Sequence, residues 1–322
     1  MKILVTGCGG FIGFHVSNYL LKNKHNVIGI DNLNNYYDLD LKKYRIKVLL
    51  KYKKFDFNKI DLINYHKLNS IIKNNNIKYV IHLAAQAGVR YSIKNPKTYF
   101  KNNLEAFFNI IESCKNNKVK HLIFASTSSV YGENNKFPLD EKQNTDRPIS
   151  FYAATKKSNE VLAYSYSYIY NLPCTAMRFF TVYGPYGRPD MALFKFTKNI
   201  LENRKIELFN NGNHARDFTY ISDIVNGIVS VLKKPKKNKI PYNIFNIGRG
   251  NSKKLREYLI HIENNIGKKA RIKKLPLQLG DIKKTHSDIS ALNKYTNYLP
   301  KIDIDEGITK FIDWYMSYYK KK

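Results

Sequence analysis

Tyr152 and Lys156 stand four residues apart in SFYAATKKS, a spacing that puts a phenol and an ammonium one turn apart on one face of a helix. A free phenol ionises near ~10, and bringing that to neutrality takes about 4 kcal/mol of differential stabilisation of the phenolate. An adjacent cation supplies part of it, and the pair can then act as a general base towards a hydroxyl. Tyr318 and Lys322 repeat the spacing at the end of the chain, so context decides. The first pair opens a helix-like segment, 151 to 170, shortly after ASTSSVYG, where Ser126, Thr127, Ser128 and Ser129 follow the apolar run HLIF. Thr127 is placed to share the hydrogen bond of the oxygen that Tyr152 deprotonates. Ser128 and Ser129 offer further neutral hydroxyls, and no acid stands among them.

Positioning these groups requires a framework, and the order of apolar runs describes one. KILVT (2 to 6), NVIGI (26 to 30), KYVIHL (78 to 83), KHLIFA (120 to 125) and PCTAMRFF (173 to 180) read as buried strands. Helix-like segments near 11 to 23, 64 to 75, 98 to 116 and 151 to 170 lie between them. The charged stretch 34 to 59 holds a further helix and a short strand at KKFDF, and DEGITKFIDWYMSYY reads as one amphipathic helix starting at Asp303 or Asp305. Strand then helix, repeated, predicts an α/β fold: a Rossmann-type doubly wound parallel sheet. Beyond about 180, Gly, Pro and Asn punctuate shorter elements, which predicts a smaller C-terminal substrate-binding α/β region. The expected division is 1–180 with 221–248 as the cofactor domain and 181–220 with 249–322 as the substrate domain.

TGCGGFIG follows the first strand directly and opens a helix, the context in which a glycine pattern becomes informative. Gly7 permits the tight turn, Gly10 lets backbone approach a pyrophosphate, and Gly13 lets helix and strand pack closely, with Phe11 and Ile12 inside the loop. The helix start then offers free N–H groups and a positive dipole end to phosphate. Asp31, eighteen residues past Gly13 at the end of the second strand and followed by Asn32, is placed to accept from an adenosine ribose diol. A carboxylate there repels a 2′-phosphate, which selects NAD over NADP. With NAD beside Tyr152, the positive nicotinamide ring joins Lys156 in favouring the phenolate.

The GxxGxxG spacing resembles that of the extended short-chain dehydrogenase/reductases. On that resemblance Asp61 and Leu62 in NKIDLIN correspond to the pair that contacts adenine, Leu83, Ala84 and Ala85 to the wall beneath the cofactor, and Asn103 in FKNNLEA to a cofactor-side helix asparagine. The motifs GIDNLNNYYD, VIHLAAQAGVRYSI, SSVYG, FYAATKKSNE, RFFTVYGPYGRPDMAL, RDFTYISDIVNGI, YNIFNIG and LPLQLGDI narrow this, because together they resemble UDP-glucuronate 4-epimerases over essentially the whole chain. The resemblance implies interconversion of UDP-glucuronate and UDP-galacturonate through a transient 4-keto sugar, tightly held NAD, and a homodimer built from the segments 98 to 116 and 151 to 170. It further implies that Arg216 binds the diphosphate, Gln278 and Asp281 the uridine ribose, and Phe209 the uracil, with Met191 and Lys195 nearby. Thr181 and Arg188 become candidates to hold the sugar carboxylate, and Arg90 a second cation near the sugar or diphosphate.

Oxidation at carbon 4 of a glucuronosyl group creates a β-keto acid, which is prone to lose carbon dioxide. Related decarboxylases carry Glu before VYG and related dehydratases carry Asp-Glu; this chain carries Ser128-Ser129. Hydroxyls donate to a carboxylate without charge repulsion. Related UDP-galactose 4-epimerases place Asn at the position of Thr181. The competing readings are a UDP-glucuronate decarboxylase, an epimerase of another UDP-hexose, and a non-catalytic NAD or nucleotide-sugar binder, for which Tyr152 and Lys156 would be superfluous.

Lys+Arg number 55 against 25 Asp+Glu, a net charge of +30. The excess is mostly Lys, spread along the whole chain with no arginine-rich arm or zinc-finger spacing, so it reads as a solvated surface that draws anionic ligands to clefts, and nucleic acid is not expected as a partner. Cys8, Cys114 and Cys174 are an odd number without metal-ligand spacing, so neither a disulfide framework nor a metal site is expected. No window supplies the apolar length of a membrane span and no secretory signal is apparent, so no membrane contact and a cytoplasmic location are expected.

Overall fold

The computed structural model describes residues 1–276 and 282–319. In chain order the first elements are β1 (Lys2–Thr6), α1 (Phe11–Lys22), β2 (Asn26–Asp31), α2 (Leu39–Leu49), β3 (Phe55–Lys59), α3 (Tyr65–Asn74), β4 (Tyr79–His82), α4 (Val89–Lys94) and α5 (Pro96–Tyr99). A π-helical turn, Phe100–Glu105, runs into α6 (Ala106–Asn116), followed by β5 (His121–Thr127), a 3-10 turn at Ser128–Tyr131, α7 (Phe151–Tyr170) and β6 (Cys174–Phe179). Then come β7 (Thr181–Tyr183), α8 (Ala192–Leu201), β8 (Lys205–Phe209), β9 (Ala215–Tyr220), α9 (Ile221–Leu232) and β10 (Tyr242–Ile247). The chain ends with β11 (Ser252–Lys254), α10 (Leu255–Ile266), β12 (Arg271–Leu275), α11 (Ser290–Thr296) and α12 (Ile304–Tyr319).

Among the described residues the main sheet has seven strands in the order β10-β6-β5-β4-β1-β2-β3. Every pairing in it is parallel. The strands read as unbroken apolar runs because helices cover both faces: Ile3 and Val5 face one core, with α1, α8 and α9, while Leu4 between them faces the other, with α3 and α6. Strand order reverses between β1 and β4, and the carboxyl ends of those strands open the crevice where such folds bind ligands. Smaller sheets, β11-β9-β7 and β12-β8, wall the crevice from the other side.

One expected element differs. The segment 98 to 116 is not a continuous α-helix: the turn Phe100–Glu105 is widened to a π-helix. The extra residue rotates Asn103 inward, where its Oδ1 accepts from Gln86 N at 2.8 Å and its Nδ2 donates to Gln86 O and Thr155 Oγ1, each at 3.1 Å. Forming these bonds repays the irregular turn and ties the segment after β4 to α7.

α7 is phased against the sheet by a buried ion pair. Arg178 on β6 donates to Glu160 through Nε at 2.9 Å and Nη2 at 2.8 Å, Ser126 Oγ donates to the same carboxylate at 2.5 Å, and both charged side chains are 2% exposed. Glu160 lies two turns beyond Tyr152 on the same helix face. Glu160→Ala strands a buried guanidinium and is expected to cost about 3–5 kcal/mol in urea denaturation, whereas Glu160→Leu combined with Arg178→Met costs far less. Equal losses in the two variants would contradict this account.

Candidate active site

The crevice is a cleft of about 1050 Å³. Its cofactor end is shaped by backbone. Gly7 has φ +72° and a Cβ there would lie 2.7 Å from Ala84 N, while a Cβ on Gly13 would lie 2.1 Å from Gly7 O. Gly10 caps α1 without a side-chain bond, so the first N–H groups of a twelve-residue helix face the cleft. Gly7, Gly10, Phe11, Ile12 and Gly13 all line it, as do Asp31, Asn32, Asp61, Leu62, Leu83, Ala84 and Ala85. Asp31 accepts from Gly9 N at 3.0 Å and Leu33 N at 2.8 Å, and Asn32 Nδ2 donates to Asp61 Oδ2 at 3.2 Å. Beneath this wall Thr6 Oγ1 accepts from Leu83 N and Ala84 N, each at 3.2 Å, so its own proton goes to His82 Nδ1 at 2.8 Å. Burial, aided by Lys156, pushes His82 down to about 3, which keeps it neutral in that role. A glycine cradle that a single Cβ would fill, a free helix N-terminus and an acid at the end of β2 fit a dinucleotide.

Asn103 stands just behind the cleft wall, and its neighbour Asn102 is in the lining. The π-turn that buries Asn103 commits its amide to Gln86 and Thr155, so it shapes the cleft wall from behind.

At the chemical centre, α7 starts at Phe151 because Ser150 Oγ accepts from Ala153 N at 3.2 Å. Tyr152 and Lys156 on its first turns line the cleft opposite Thr127, Ser128 and Ser129. Burial pushes the Tyr152 phenol up, and its hydrogen bond with Thr127 and the charge of Arg188 pull it back. Lys156 Nζ donates to Ala125 O at 3.0 Å, and burial pushes it down to about 8. Thr127 and Arg188 thus both favour the phenolate. The 3-10 turn fixes the serines: Ser129 N donates to Thr127 Oγ1 at 3.1 Å, and the two hydroxyls lie 3.2 Å apart.

Thr181, Arg188, Met191, Lys195, Arg90, Phe209 and Arg216 also line the cleft. Arg188 is held in a fork by Asp190, Nε to Oδ1 at 3.0 Å and Nη2 to Oδ2 at 2.5 Å. Burial works against its charge, but Asp190 holds the guanidinium above its ordinary pKa. The Arg90 guanidinium sits 4.8 Å over the Phe209 ring. Arg216 Nη1 donates to Ala215 O at 3.0 Å. Gln278 and Asp281 lie outside the described residues. Sequence reasoning passed over Tyr36, Lys42, Gln86 and Asp190, all in the lining. Asp190 carried a signal, an acid two residues after Arg188; Lys42, whose Nζ donates to Asn34 O and Oδ1 at 2.7 Å each, is one among many lysines and carried none.

Residues 3–248 match the NAD dependent epimerase/dehydratase family. The chain belongs to that family. Protein CapI of Staphylococcus aureus is 47% identical to this family member, with 100% of each chain covered. The UDP-glucuronate 4-epimerase of Thermodesulfobacterium geofontis is 44% identical, covering 97% of this chain and 95% of its own. A crystal structure of UDP-glucuronic acid 4-epimerase from Bacillus cereus, in complex with UDP-glucuronic acid and NAD, superposes with a TM-score of 0.93 at 36% identity, covering 99% of this chain and 100% of that one. NAD is the cofactor of this family member, and its fold is the doubly wound sheet that the order of strands and helices predicts.

The Thr127 hydrogen bond lowers the pKa of Tyr152. Thr127→Val removes it, so the phenol ionises at higher pH and the ascending limb of the pH profile of kcat/KM moves to higher pH. An unmoved limb would rule out Tyr152, tuned by Thr127, as the base.

Proposed function

We propose that this chain interconverts UDP-glucuronate and UDP-galacturonate by epimerisation at carbon 4. The observation that carries the reading is the hydroxyl collar: Thr127, Ser128 and Ser129 face Tyr152 across a cleft whose far wall presents Arg188, and the turn Ser128–Tyr131 brings no carboxylate to the reacting carbon. Tyr152 takes the proton from the sugar O4 as that carbon is oxidised, and returns it when the opposite face is reduced. Bound NAD supplies the reversible hydride acceptor. Thr127 holds the same oxygen and steadies the phenolate; Lys156, anchored on Ala125 O, keeps a positive charge beneath the site. Ser128, Ser129, Thr181 and Arg188 hold the sugar carboxylate, so that the β-keto acid keeps its carbon dioxide between the two half-reactions. Arg216, Phe209, Met191, Lys195 and Arg90 receive the diphosphate and uridine, aided by Gln278 and Asp281.

The division into an NAD-binding domain, 1–180 with 221–248, and a nucleotide-sugar domain, 181–220 with 249–322, belongs to the same proposal. So does a cytoplasmic location, where nucleotide sugar and cofactor are at hand; no helix among the described residues is long and apolar enough to cross a membrane. We also propose a homodimer through the π-turn, α6 and α7. Phe100, Phe108 and Val161 are 56%, 48% and 57% exposed there and line one apolar groove, more than a solvated helix pair leaves bare.

Purified protein given UDP-glucuronate without added cofactor is expected to accumulate UDP-galacturonate in proton NMR; a UDP-pentose or a 4-keto product rejects the reading. Tyr152→Phe should slow this by about two to four orders of magnitude with fold and NAD content intact. Val161→Glu places a charge in the groove and is expected to yield monomers in light scattering, and an unchanged mass would exclude this face as the dimer contact.

A further inference from the structure

Arg45 on α2 is wholly buried and takes no part in the proton chemistry above. Its guanidinium nevertheless donates four hydrogen bonds, in two opposite directions. Nη1 reaches Gly9 O and the Tyr37 hydroxyl, each at 2.8 Å; Nη2 reaches Tyr186 O at 2.7 Å and Gly187 O at 3.3 Å. Gly9 belongs to the phosphate loop, and its N–H is already held by Asp31 at 3.0 Å. Tyr186 and Gly187 are the two residues directly before Arg188. The carbonyl one step earlier, Pro185 O, lies 2.9 Å from His15 Nε2 on α1. Burial pushes His15 down to about 4, so the ring is neutral and its proton sits on Nε2, facing that oxygen. Three consecutive carbonyls of the turn that presents Arg188 therefore accept from α1 and α2, the helices that flank the phosphate loop.

The turn needs holding from outside. Tyr186 has φ +57°, a left-handed conformation that non-glycine residues seldom adopt unless their surroundings impose it. Its ring is wedged 4.8 Å from Phe14 and 4.9 Å from Trp314. Among the described residues Arg45 has no carboxylate hydrogen-bond partner, and a buried cation bonded only to neutral oxygens is a costly way to fill a core. What the guanidinium offers in return is a rigid planar fork that bonds two chain segments at once, which a point ammonium cannot do.

We propose that Arg45 is a positioning residue for acid recognition. It ties the turn 185–187 to the phosphate loop and so sets where the Arg188 guanidinium meets the sugar carboxylate. This rests on the uronate reading above. Asp190 fixes Arg188 within its own turn; Arg45 fixes that turn relative to the cofactor cradle. The placement matters because a β-keto acid loses carbon dioxide when its carboxyl bond aligns with the ketone: the C5–C6 bond breaks, its electron pair becomes an enolate that is protonated at C5, and carbon dioxide leaves. A carboxylate held at a fixed angle is kept out of that alignment.

The test compares wild-type protein with Arg45→Met at matched NAD content, measuring UDP binding by calorimetry, KM and kcat for UDP-glucuronate, and carbon dioxide released per UDP-galacturonate formed. The expected result is a KM about tenfold or more higher, the loss of a charge-assisted contact, with a smaller change in kcat, more carbon dioxide per turnover and unchanged UDP affinity. Unchanged KM and carbon dioxide overturn the proposal, and so does equal weakening of UDP and UDP-glucuronate, which would make Arg45 a general structural support. If Arg45→Met does not fold, Arg45→Lys, whose ammonium serves one segment but not both, carries the same comparison. Wild-type protein that leaves UDP-glucuronate unchanged defeats the uronate reading itself, a result distinct from a variant that matches an active wild type.

Discussion

The active arrangement depends on one contact plane, where the end of β5 meets the first three turns of α7. Lys156 bonds Ala125 O and Ser126 bonds Glu160, with Thr127 acting on the Tyr152 phenol between them, so one helix face is tied to successive residues of one strand. Glu160 could not be buried there without Arg178, which the parallel register of β5 and β6 sets directly beside Ser126. The phenol that does the chemistry is thus held in phase by an ion pair two turns away. The cost of burying that pair is offset by fixing a geometry that apolar packing alone would leave free to slide.

Around that plane the two sides of the cleft divide the work by type of group. The side built on β1, β2 and β4 offers mainly backbone: glycines too close to their neighbours for a Cβ, a bare helix start and a wall of small residues. The facing side offers cations, Arg188, Arg216 and Lys195, suited to an anionic nucleotide sugar. The overall charge of +30 does not distinguish these cations from the solvated lysines; their position at one cavity does. Asp190 then makes Arg188 a directed fork instead of a loose charge.

Much of the fold was legible because a parallel sheet covered on both faces must be written as short unbroken apolar runs. The helix 151–170 was legible to the residue, since Ser150 is a cap and Asn171 takes the left-handed conformation that closes it. The α12 start, Ile304, falls between the two acids proposed for it. The segment 98–116 was not legible because the π-turn goes with long-range bonds of Asn103 to Gln86 and Thr155, which no local window of the chain contains.

The sequence by itself determined which groups are available and in what local phase: glycines between strand and helix, an acid at the end of β2, a phenol and ammonium one turn apart, hydroxyls where acids would stand. These are near-neighbour properties, governed by helix and strand periodicity and by the backbone freedom of glycine. Tertiary structure alone decided which distant groups meet. Arg45 and the turn before Arg188 are 141 and 142 residues apart, Arg90 on α4 and Phe209 on β8 lie far apart in the chain, and no periodicity relates them. The reason is that buried donors must find acceptors wherever packing brings them, a condition on the whole core that no local window of the chain contains.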